Sequence, residues 1–355
     1  MSHPGWICRS CRHGLSKTIR TRYAKQASRH ISTQSPYLQI SPEIRQALSD
    51  RTPLVALETT IYTHGIPVPQ NLELALHLER LIRDNGAVPA TIGVLDGIAR
   101  VGFKKTEMTE LLDPANASRT HKLSRRDLSF ALGLRGPDGK PLNGGTTVAA
   151  TMLLAHLAGV NLFATGGLGG VHRGAESTFD ISADLTELGR TPVAVISSGV
   201  KAFLDLPKTL EVLETQGVGV ATFADGRSGG VDFPSFYTRD SGIPSPRVLR
   251  DESEAAEVLN AHFSLGLQSG MLLANPIPEE FSLPKEIMDA AIETALQQAA
   301  EAGKQGAEAT PFILARIKEI TGEGSLRANW ALVEANVVRG AKVAVELARV
   351  EKDQG

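Results

Sequence analysis

The sequence has little cysteine and no long hydrophobic run. The chain of 355 residues has two cysteines, Cys8 and Cys11. A single CxxC without a second ligand pair is weak support for a zinc or redox centre. If the N-terminal segment is removed, no cysteine remains, which excludes disulfides and thiol catalysis from the rest of the chain. No run of about 18 apolar residues occurs, so the sequence predicts no membrane span. A composition of 42% hydrophobic and 21% charged residues instead predicts a globular protein with a large core.

Acidic residues are missing from the N-terminal segment. Residues 1–42 hold seven Lys/Arg and no Asp or Glu, whereas the remaining chain has 30 basic and 39 acidic residues. A basic, Ser/Thr-rich segment without an apolar stretch is typical of a mitochondrial transit peptide, with a disordered basic leader as the alternative. We therefore expect such a leader over residues 1–41 and one domain over residues 42–351. The acidic body argues against nucleic-acid binding, which requires cations to neutralise phosphates.

Strand and helix patterns alternate along the body. Ser41-Pro42 is typical of a helix start, Asp96-Gly97 predicts a hairpin, and only helices are predicted from Lys285 onward. This alternation predicts an α/β fold: a three-layer α/β/α sandwich with a mixed, largely parallel sheet and a helical C-terminal region. Residues 133–145 are rich in turn-forming residues and predict a surface loop. The predicted strands that contribute to the sheet are 54–57, 160–165, 193–197, 218–223 and 271–274.

Chemically useful residues follow the predicted strands. Glu58 ends the first strand, a glycine-rich segment (165–174, TGGLGGVHRG) follows the second, and Lys201 and Asn275 follow later strands. In open α/β sheets, ligands bind beyond the carboxyl ends of the strands. We therefore expect a carboxylate, a glycine loop, a lysine and an amide to share one cleft.

Phosphate binding is suggested by three features. The glycine-rich segment offers backbone N–H groups to an anion, although it lacks the GxGxxG and GKS/T patterns. Residues 143–147 open the next helix, whose N-terminus attracts phosphate. Lys122, Arg125 and Arg126 add positive charge. Together these features predict a phosphorylated small-molecule substrate; the alternative is that the glycines only turn the chain.

Lys201 and Glu58 are the candidate catalytic groups. A desolvated lysine can attack a carbonyl carbon as a free amine, although Lys201 could equally pair with Asp205 on the surface. Glu58, in an apolar wall, could be a general acid with a raised pKa. Its alternative role is a helix cap or a structural hydrogen bond.

Asp180 and Asp184 are candidate metal ligands. On a helix their spacing of four residues would place both on one face, which suits a hard divalent cation with waters. The alternative is simple negative charge at a helix N-terminus. His172 is a candidate for substrate contact or for a loop hydrogen bond, whereas His77 and His156 are expected to be structural.

Several motifs together carry a family resemblance. They run in one order from about Pro42 to Val350 and read ALETTIYTHGIPVPQN, KLSRRDL, GGTTVAATM, TGGLGGVHRGAESTFDISADL, SGVK, NPIPEE and TPFILARI. Through these motifs the chain resembles the pseudouridine-5'-phosphate glycosidase (indigoidine-synthase-A-like) family. The resemblance implies a homotrimeric α/β/α enzyme that needs a divalent metal, usually Mn²⁺. Such an enzyme reversibly cleaves the C–C bond of pseudouridine 5'-phosphate to give uracil and ribose 5-phosphate.

The resemblance also implies roles for individual residues. Glu58 matches the proton donor, Lys201 the lysine that forms a Schiff base with ribose C1', and Asp180 the metal ligand. Asn329 matches a uracil contact, with Asn336 as the alternative. The implied substrate contacts are Lys122, Thr147, Val148, Thr165, His172, Ser182, Ala183, Asp184 and Asn329.

A mitochondrial matrix enzyme of pseudouridine catabolism is therefore expected, with a separate pseudouridine kinase supplying its substrate. The chain departs from the family pattern at two places. The residues before the lysine in SSGVK differ from the commoner small-residue sequence of the family, and the 133–145 loop is expected to be longer than in bacterial members. One alternative function is a Schiff-base sugar-phosphate aldolase, which would turn over deoxyribose phosphate without a metal. Another is a non-catalytic mitochondrial RNA-binding factor that uses the basic leader, against which the acidic body argues.

Overall fold

A computed structural model describes residues 35–304 and 309–354. The expected leader, with Cys8 and Cys11, therefore lies almost wholly outside the described residues. From Tyr37 onward the described residues form one compact unit. The strands are β1 (Leu38–Ile40), β2 (Leu54–Leu57), β3 (Val88–Leu95), β4 (Ile98–Val101), β5 (Thr120–Leu123), β6 (Asn143–Thr146), β7 (Leu162–Ala164), β8 (Ala194–Ser197), β9 (Gly219–Phe223), β10 (Val248–Leu249) and β11 (Met271–Ala274).

Helices connect these strands and form the C-terminal region. The α-helices are α1 (Pro42–Ser49), α2 (Gln70–Asp84), α3 (Lys105–Leu111), α4 (Leu128–Gly133), α5 (Val148–Ala158), α6 (Ala175–Thr178), α7 (Ala183–Leu188), α8 (Leu206–Thr215), α9 (Glu252–Ser264), α10 (Lys285–Glu301), α11 (Ala309–Thr321) and α12 (Glu323–Gln354). Across residues 35–304 and 309–354, none of the helices combines the length and the apolar character that crossing a bilayer needs.

One mixed sheet organises the fold. Its main order is β1-β4-β3-β2-β7-β8-β11-β9-β10, and β6 joins β3 to β5. β3 is antiparallel to β4 and β6, while the other pairings are parallel. Helices lie on both sides, so the predicted α/β class is confirmed. The β3–β4 hairpin forms at Asp96-Gly97, where both residues have positive φ, as a tight two-residue turn requires.

Buried parallel strands form the centre of the core. Every residue of β7, β8 and β11 is buried, because helices cover a parallel sheet on both faces. The long helix α12 packs across β2, β7 and β8. Gly340 permits this close approach, since a Cβ there would lie 3.1 Å from the Ala164 Cβ. The preceding turns of α12 therefore lie beside the carboxyl ends of these strands.

The prediction of a surface loop over 133–145 is wrong at its C-terminal end. Residues 143–146 form the fully buried strand β6, which pairs with β5 and β3. Gly144 and Gly145 allow this packing, because a Cβ on either would overlap the side chain of Leu123 or Thr63. A strand rich in glycine has no alternation of apolar residues, so the pattern concealed it.

Candidate active site

The predicted cleft residues lie at the carboxyl ends of neighbouring strands. Glu58 follows β2, Thr165 follows β7, and Lys201 lies just beyond β8. The segments after β7 and β8 stay paired, because the Leu168 N–H donates to the Gly199 carbonyl at 3.0 Å and the Lys201 N–H donates to the Leu168 carbonyl at 3.0 Å. This pairing fixes the glycine-rich segment beside the lysine backbone.

Glu58 is the electrostatic centre of the cleft. Its carboxylate accepts a hydrogen bond from the Thr165 hydroxyl. Burial raises the pKa of Glu58 to about 7, although the Thr165 bond and the charges of Lys201 and Lys122 act to lower it, and Asp184 acts to raise it. Burial, together with the positive charge of Lys201, also lowers the pKa of Lys122. The structure thus brings four sequence-predicted residues, Thr165, Lys201, Lys122 and Asp184, around the Glu58 carboxyl group, whose pKa lies near neutral.

Lys201 is not paired with Asp205. The Asp205 carboxylate contacts the Lys208 ammonium at 3.1 Å and caps helix α8 by accepting from the Lys208 backbone N–H at 3.1 Å. The alternative of a surface Lys201–Asp205 pair is therefore wrong. The half-buried Lys201 side chain instead belongs to the cleft that contains Glu58 and Lys122.

Asp184 joins two parts of the site. The side chain is 7% exposed, and its two oxygens accept hydrogen bonds from the backbone N–H groups of Ala149 at 3.1 Å and Gly169 at 3.0 Å. Ala149 lies in the first turn of α5 and Gly169 in the glycine-rich segment. The Asp184 carboxylate therefore holds the N-terminus of α5 against the glycine-rich segment. Hydrogen bonds from backbone N–H groups to a charged carboxylate are stronger than those between neutral groups, which stabilises this arrangement.

The prediction that Asp180 and Asp184 share one helix face is wrong. Helix α7 begins at Ala183, with Ser182 as its N-cap, so Asp180 precedes the helix. Asp180 lies 3.9 Å from the His172 ring instead. Burial lowers the pKa of His172, although the charge of Asp180 acts to raise it.

The donor set fits a divalent cation only in a hydrated form. Within the described residues, no group of three or more His, Cys, Asp or Glu side chains could hold a metal. Both oxygens of Asp184 already accept backbone hydrogen bonds, which leaves Asp180 as the predicted ligand. One carboxylate plus waters and substrate is a coordination that Mg²⁺-like cations adopt.

The glycine-rich segment packs closely rather than presenting its backbone to an anion. Its N–H groups at Leu168, Gly169, Val171 and His172 donate to acceptors within the protein. A Cβ on Gly167 or Gly169 would overlap Phe236 or Ser182. These four N–H groups are therefore not available to a phosphate, which favours the alternative that the glycines serve the packing and turning of the chain.

The N-terminus of α5 remains a polar part of the cleft. Thr147 is its N-cap and Val148 its first residue, and the buried Thr147 hydroxyl has no hydrogen-bond partner within the described part of the chain. Arg125, by contrast, pairs with the buried Glu187 at 2.5 Å. Of the three predicted cations, Lys122 and the exposed Arg126, which lies 3.6 Å from the Asp127 carboxylate, therefore remain candidates for a substrate phosphate.

Helix α12 carries both candidate asparagines. Asn336 is fully buried, and its amide donates to the Thr165 carbonyl at 2.8 Å. Asn329 lies seven residues earlier on the same face and is half-buried. Asn336 thus lies at the strand ends, while Asn329 lies two turns nearer the N-terminus of α12. His77 bonds Glu334 on this helix at 2.6 Å, which confirms its predicted structural role.

Sequence reasoning missed two residues near the cleft, Tyr62 and His64. Both lie in or beside the irregular turn Ile61–Gly65 that follows Glu58. Burial and the charge of Lys122 lower the pKa of His64, and burial together with the charges of Glu79 and Glu58 raises the pKa of Tyr62. The signal was present in the ALETTIYTHG motif, but nothing in its spacing indicated that the turn folds back toward the carboxylate.

The fold and the cleft define an α/β enzyme with a lysine and a proton-exchanging carboxyl group at the carboxyl edge of the sheet. The family model described as "Indigoidine synthase A like protein" matches residues 43–346. The chain belongs to this family.

Curated relatives match almost end to end. The chain is 48% identical over 317 residues to the pseudouridine-5'-phosphate glycosidase of Caldanaerobacter subterraneus subsp. tengcongensis, covering 89% of this chain and 99% of the relative. It is 51% identical over 314 residues to the protein of that name from Deinococcus radiodurans, covering 88% and 96%.

Solved structures share the fold. The prealnumycin C-glycosynthase AlnA, in complex with ribulose 5-phosphate, is similar with a TM-score of 0.79 and 33% identity, over 90% of this chain and 99% of that one. An indigoidine synthase A-like protein from Thermotoga maritima has a TM-score of 0.75 and 31% identity, over 88% and 97%.

Proposed function

We propose that this protein reversibly cleaves the C–C glycosidic bond of pseudouridine 5'-phosphate, giving uracil and ribose 5-phosphate. The observation that carries the proposal is the cleft that combines Lys201 with Glu58, whose pKa burial raises to about 7. Curated relatives of about 50% identity over nearly their whole length bear the name of this activity. The C-glycosynthase neighbour is named for C–C glycosidic chemistry and holds a pentulose phosphate, which supports the same substrate class.

The reaction needs a nucleophile because a C-glycoside has no heteroatom leaving group. Protonation of an oxygen at the scissile link, the usual glycosidase route, is therefore not available. In our proposal the Lys201 amine bonds to C1' as the ring C–O bond breaks, and Glu58 protonates the ring oxygen. The nitrogen lone pair then forms an imine as the C1'–C5 bond breaks.

Proton return completes the cycle. The electron pair of the broken bond stays on uracil C5, which Glu58 protonates after regaining the proton that the Lys201 nitrogen loses. Water hydrolyses the protonated imine, which releases ribose 5-phosphate, restores the amine and returns a proton to the Glu58 carboxylate. A carboxyl group with a pKa near neutral suits both transfers, because it is readily protonated and deprotonated at cellular pH.

The proposed substrate contacts divide between the two ends of the substrate. Lys122, Thr147 and Val148, at the cationic side and the α5 N-terminus, are proposed to receive the ribose phosphate. Asn329 is proposed to contact uracil. The phosphate contact is supported by the buried Thr147 hydroxyl, which has no hydrogen-bond partner among the described residues. The uracil contact is supported by the half-buried position of Asn329 on α12. The remaining proposed contacts are Thr165, His172, Ser182, Ala183 and Asp184.

We further propose a Mn²⁺ cofactor, a homotrimer and a mitochondrial matrix location. Asp180 would hold the ion together with waters, and the ion would order the uracil through its water ligands. The family resemblance supports the trimer and the metal. The basic, acid-free composition of the leader supports the location, where a separate pseudouridine kinase would supply the substrate.

Reductive trapping tests the covalent step. The full chain is incubated with ribose 5-phosphate and borohydride, and the intact mass and the labelled peptide are measured. We expect one adduct on Lys201, lost in Lys201→Ala and kept in Lys208→Ala, which removes a nearby surface lysine paired with Glu176. Turnover retained in Lys201→Ala would overturn the mechanism. Efficient turnover of 2-deoxyribose 5-phosphate without metal, and none of pseudouridine 5'-phosphate, would favour an aldolase.

A further inference from the structure

Asn336 is the centre of a buried polar network at the strand ends. The side chain is fully buried on α12. Its amide nitrogen lies 2.8 Å from the Thr165 carbonyl, 3.2 Å from the Gly166 carbonyl and 3.1 Å from the Ser198 hydroxyl. Its oxygen accepts from the Asn275 amide at 3.1 Å. One side chain thus contacts the ends of three neighbouring parallel strands, β7, β8 and β11.

The residues that Asn336 holds lead directly to both candidate catalytic groups. Thr165, fixed at its carbonyl, donates its hydroxyl to the Glu58 carboxylate. Ser198 lies three residues before Lys201, and its N–H donates to the Gly166 carbonyl at 2.8 Å. Asn336 therefore bridges the segment that supports Glu58 and the segment that carries Lys201.

We infer that Asn336 is a positioning residue that sets the orientation of the Glu58 carboxyl group relative to Lys201 through Thr165 and Ser198. The inference rests on the proposed function for the catalytic roles of Glu58 and Lys201. The geometry itself does not depend on the substrate. A substrate contact for Asn336 is not required, because its polar atoms already have partners within the protein.

The inference predicts a direction for the titration of Glu58. The charged groups around Glu58 are Lys201, Lys122 and Asp184, and the neighbouring titratable hydroxyl is that of Tyr62. The Thr165 hydrogen bond stabilises the ionised carboxylate and lowers the pKa of Glu58, against the effect of burial. If loss of Asn336 releases Thr165, this hydrogen bond no longer opposes the effect of burial, and the pKa of Glu58 rises.

The test compares Asn336→Ala, Thr165→Val and the double variant in the full chain. Infrared difference spectroscopy follows the Glu58 carboxyl band, assigned by its loss in Glu58→Gln, as pH is varied. We expect each single variant to raise the titration midpoint by roughly one pH unit, as loss of one hydrogen bond to a carboxylate predicts. The double variant should add little, because both changes remove the same bond.

Controls separate positioning from general destabilisation. Thr222→Val, on β9, removes another buried hydroxyl, which accepts a hydrogen bond from the Ser245 hydroxyl, and should lower the melting temperature without moving the Glu58 midpoint. If Asn336→Ala does not fold, Asn336→Ser replaces it. The serine keeps one polar group, but its side chain is shorter than that of asparagine. In folded Asn336 variants, kcat for uracil release should fall at least tenfold with KM changed less.

The outcomes distinguish this inference from the proposed function. An unchanged Glu58 midpoint in folded Asn336 variants, with a raised midpoint in Thr165→Val, would overturn the inference. Fully additive shifts in the double variant would overturn it as well. If the unmodified protein releases no uracil, the proposed function fails, and the infrared titration still decides whether Asn336 positions the carboxyl group.

Discussion

Asp184→Asn is expected to destabilise the protein and to change the titration of Glu58. In the protein, both Asp184 oxygens accept backbone N–H groups, from Ala149 at 3.1 Å and Gly169 at 3.0 Å. Asparagine has one acceptor oxygen, so one of these N–H groups would face an amide donor instead. A charge-assisted hydrogen bond contributes ~1.5–3 kcal/mol, and an unsatisfied buried donor costs a comparable amount. We therefore expect the free energy of unfolding to fall by about 2–4 kcal/mol.

The same variant should lower the pKa of Glu58, because the negative charge of Asp184 raises it in the native protein. If Glu58 must be protonated for the rate-limiting step, activity falls as pH rises through that pKa. The alkaline limb of the pH–rate profile should therefore move to lower pH in Asp184→Asn.

Urea denaturation followed by tryptophan fluorescence measures the stability, and uracil release measures the pH profile. The matched control is Asp50→Asn, an exposed aspartate that bonds Gln46, whose substitution should cost less than ~0.5 kcal/mol. A similarly small loss in Asp184→Asn, or an alkaline limb that moves to higher pH, would refute the argument from the two backbone bonds and the nearby charge.

Three further predictions follow from the site. Gly167→Ala should give insoluble or strongly destabilised protein, because the added methyl group overlaps Phe236. The control Gly133→Ala, with open space around its Cβ, should melt near the temperature of the unmodified protein. Equal melting temperatures of the two variants would contradict this prediction. Glu58→Gln should abolish uracil release. Its effect on the free energy of unfolding should be more stabilising at pH 8 than at pH 5 by ~1–3 kcal/mol. The reason is that the pKa of Glu58 is about 7 in the folded and 4.5 in the unfolded protein, so the unmodified protein loses stability as pH rises through that window. A stability difference independent of pH in urea denaturation would contradict it. Lys122→Met should raise KM for the phosphorylated substrate at least tenfold and raise the pKa of Glu58, which steady-state kinetics over pH 6–9 measures; an unchanged KM would remove Lys122 from the phosphate site.

The apolar runs made most of the sheet predictable. The strands Leu54–Leu57 and Met271–Ala274 have the bounds that the sequence indicates, because buried parallel strands have short, continuous apolar segments. The rule that ligands bind beyond the strand ends then brought Glu58 and Lys201 into one cleft without any knowledge of the side-chain geometry. The N-cap at Ser41 was readable for the same local reason, since its hydroxyl accepts the Ile44 N–H.

The remaining features depend on contacts between distant segments. Strand β6 consists of Asn-Gly-Gly-Thr, and its glycines are explained only by the side chains packed against them. The separation of Asp180 from helix α7 depends on Ser182 capping that helix, a start signal that a spacing of four residues does not show. The contacts of Asn336 with the ends of β7, β8 and β11 likewise join distant segments, which no local pattern encodes.

The most direct test of the account is the release of uracil from pseudouridine 5'-phosphate by the full chain, with and without Mn²⁺. Uracil and ribose 5-phosphate are quantified by chromatography, with Lys201→Ala as the control. The account predicts equimolar uracil and ribose 5-phosphate, formation that depends on the metal, and none in the variant. No uracil from a folded protein supplied with metal would contradict the proposed activity, and would show that this family member acts on another substrate.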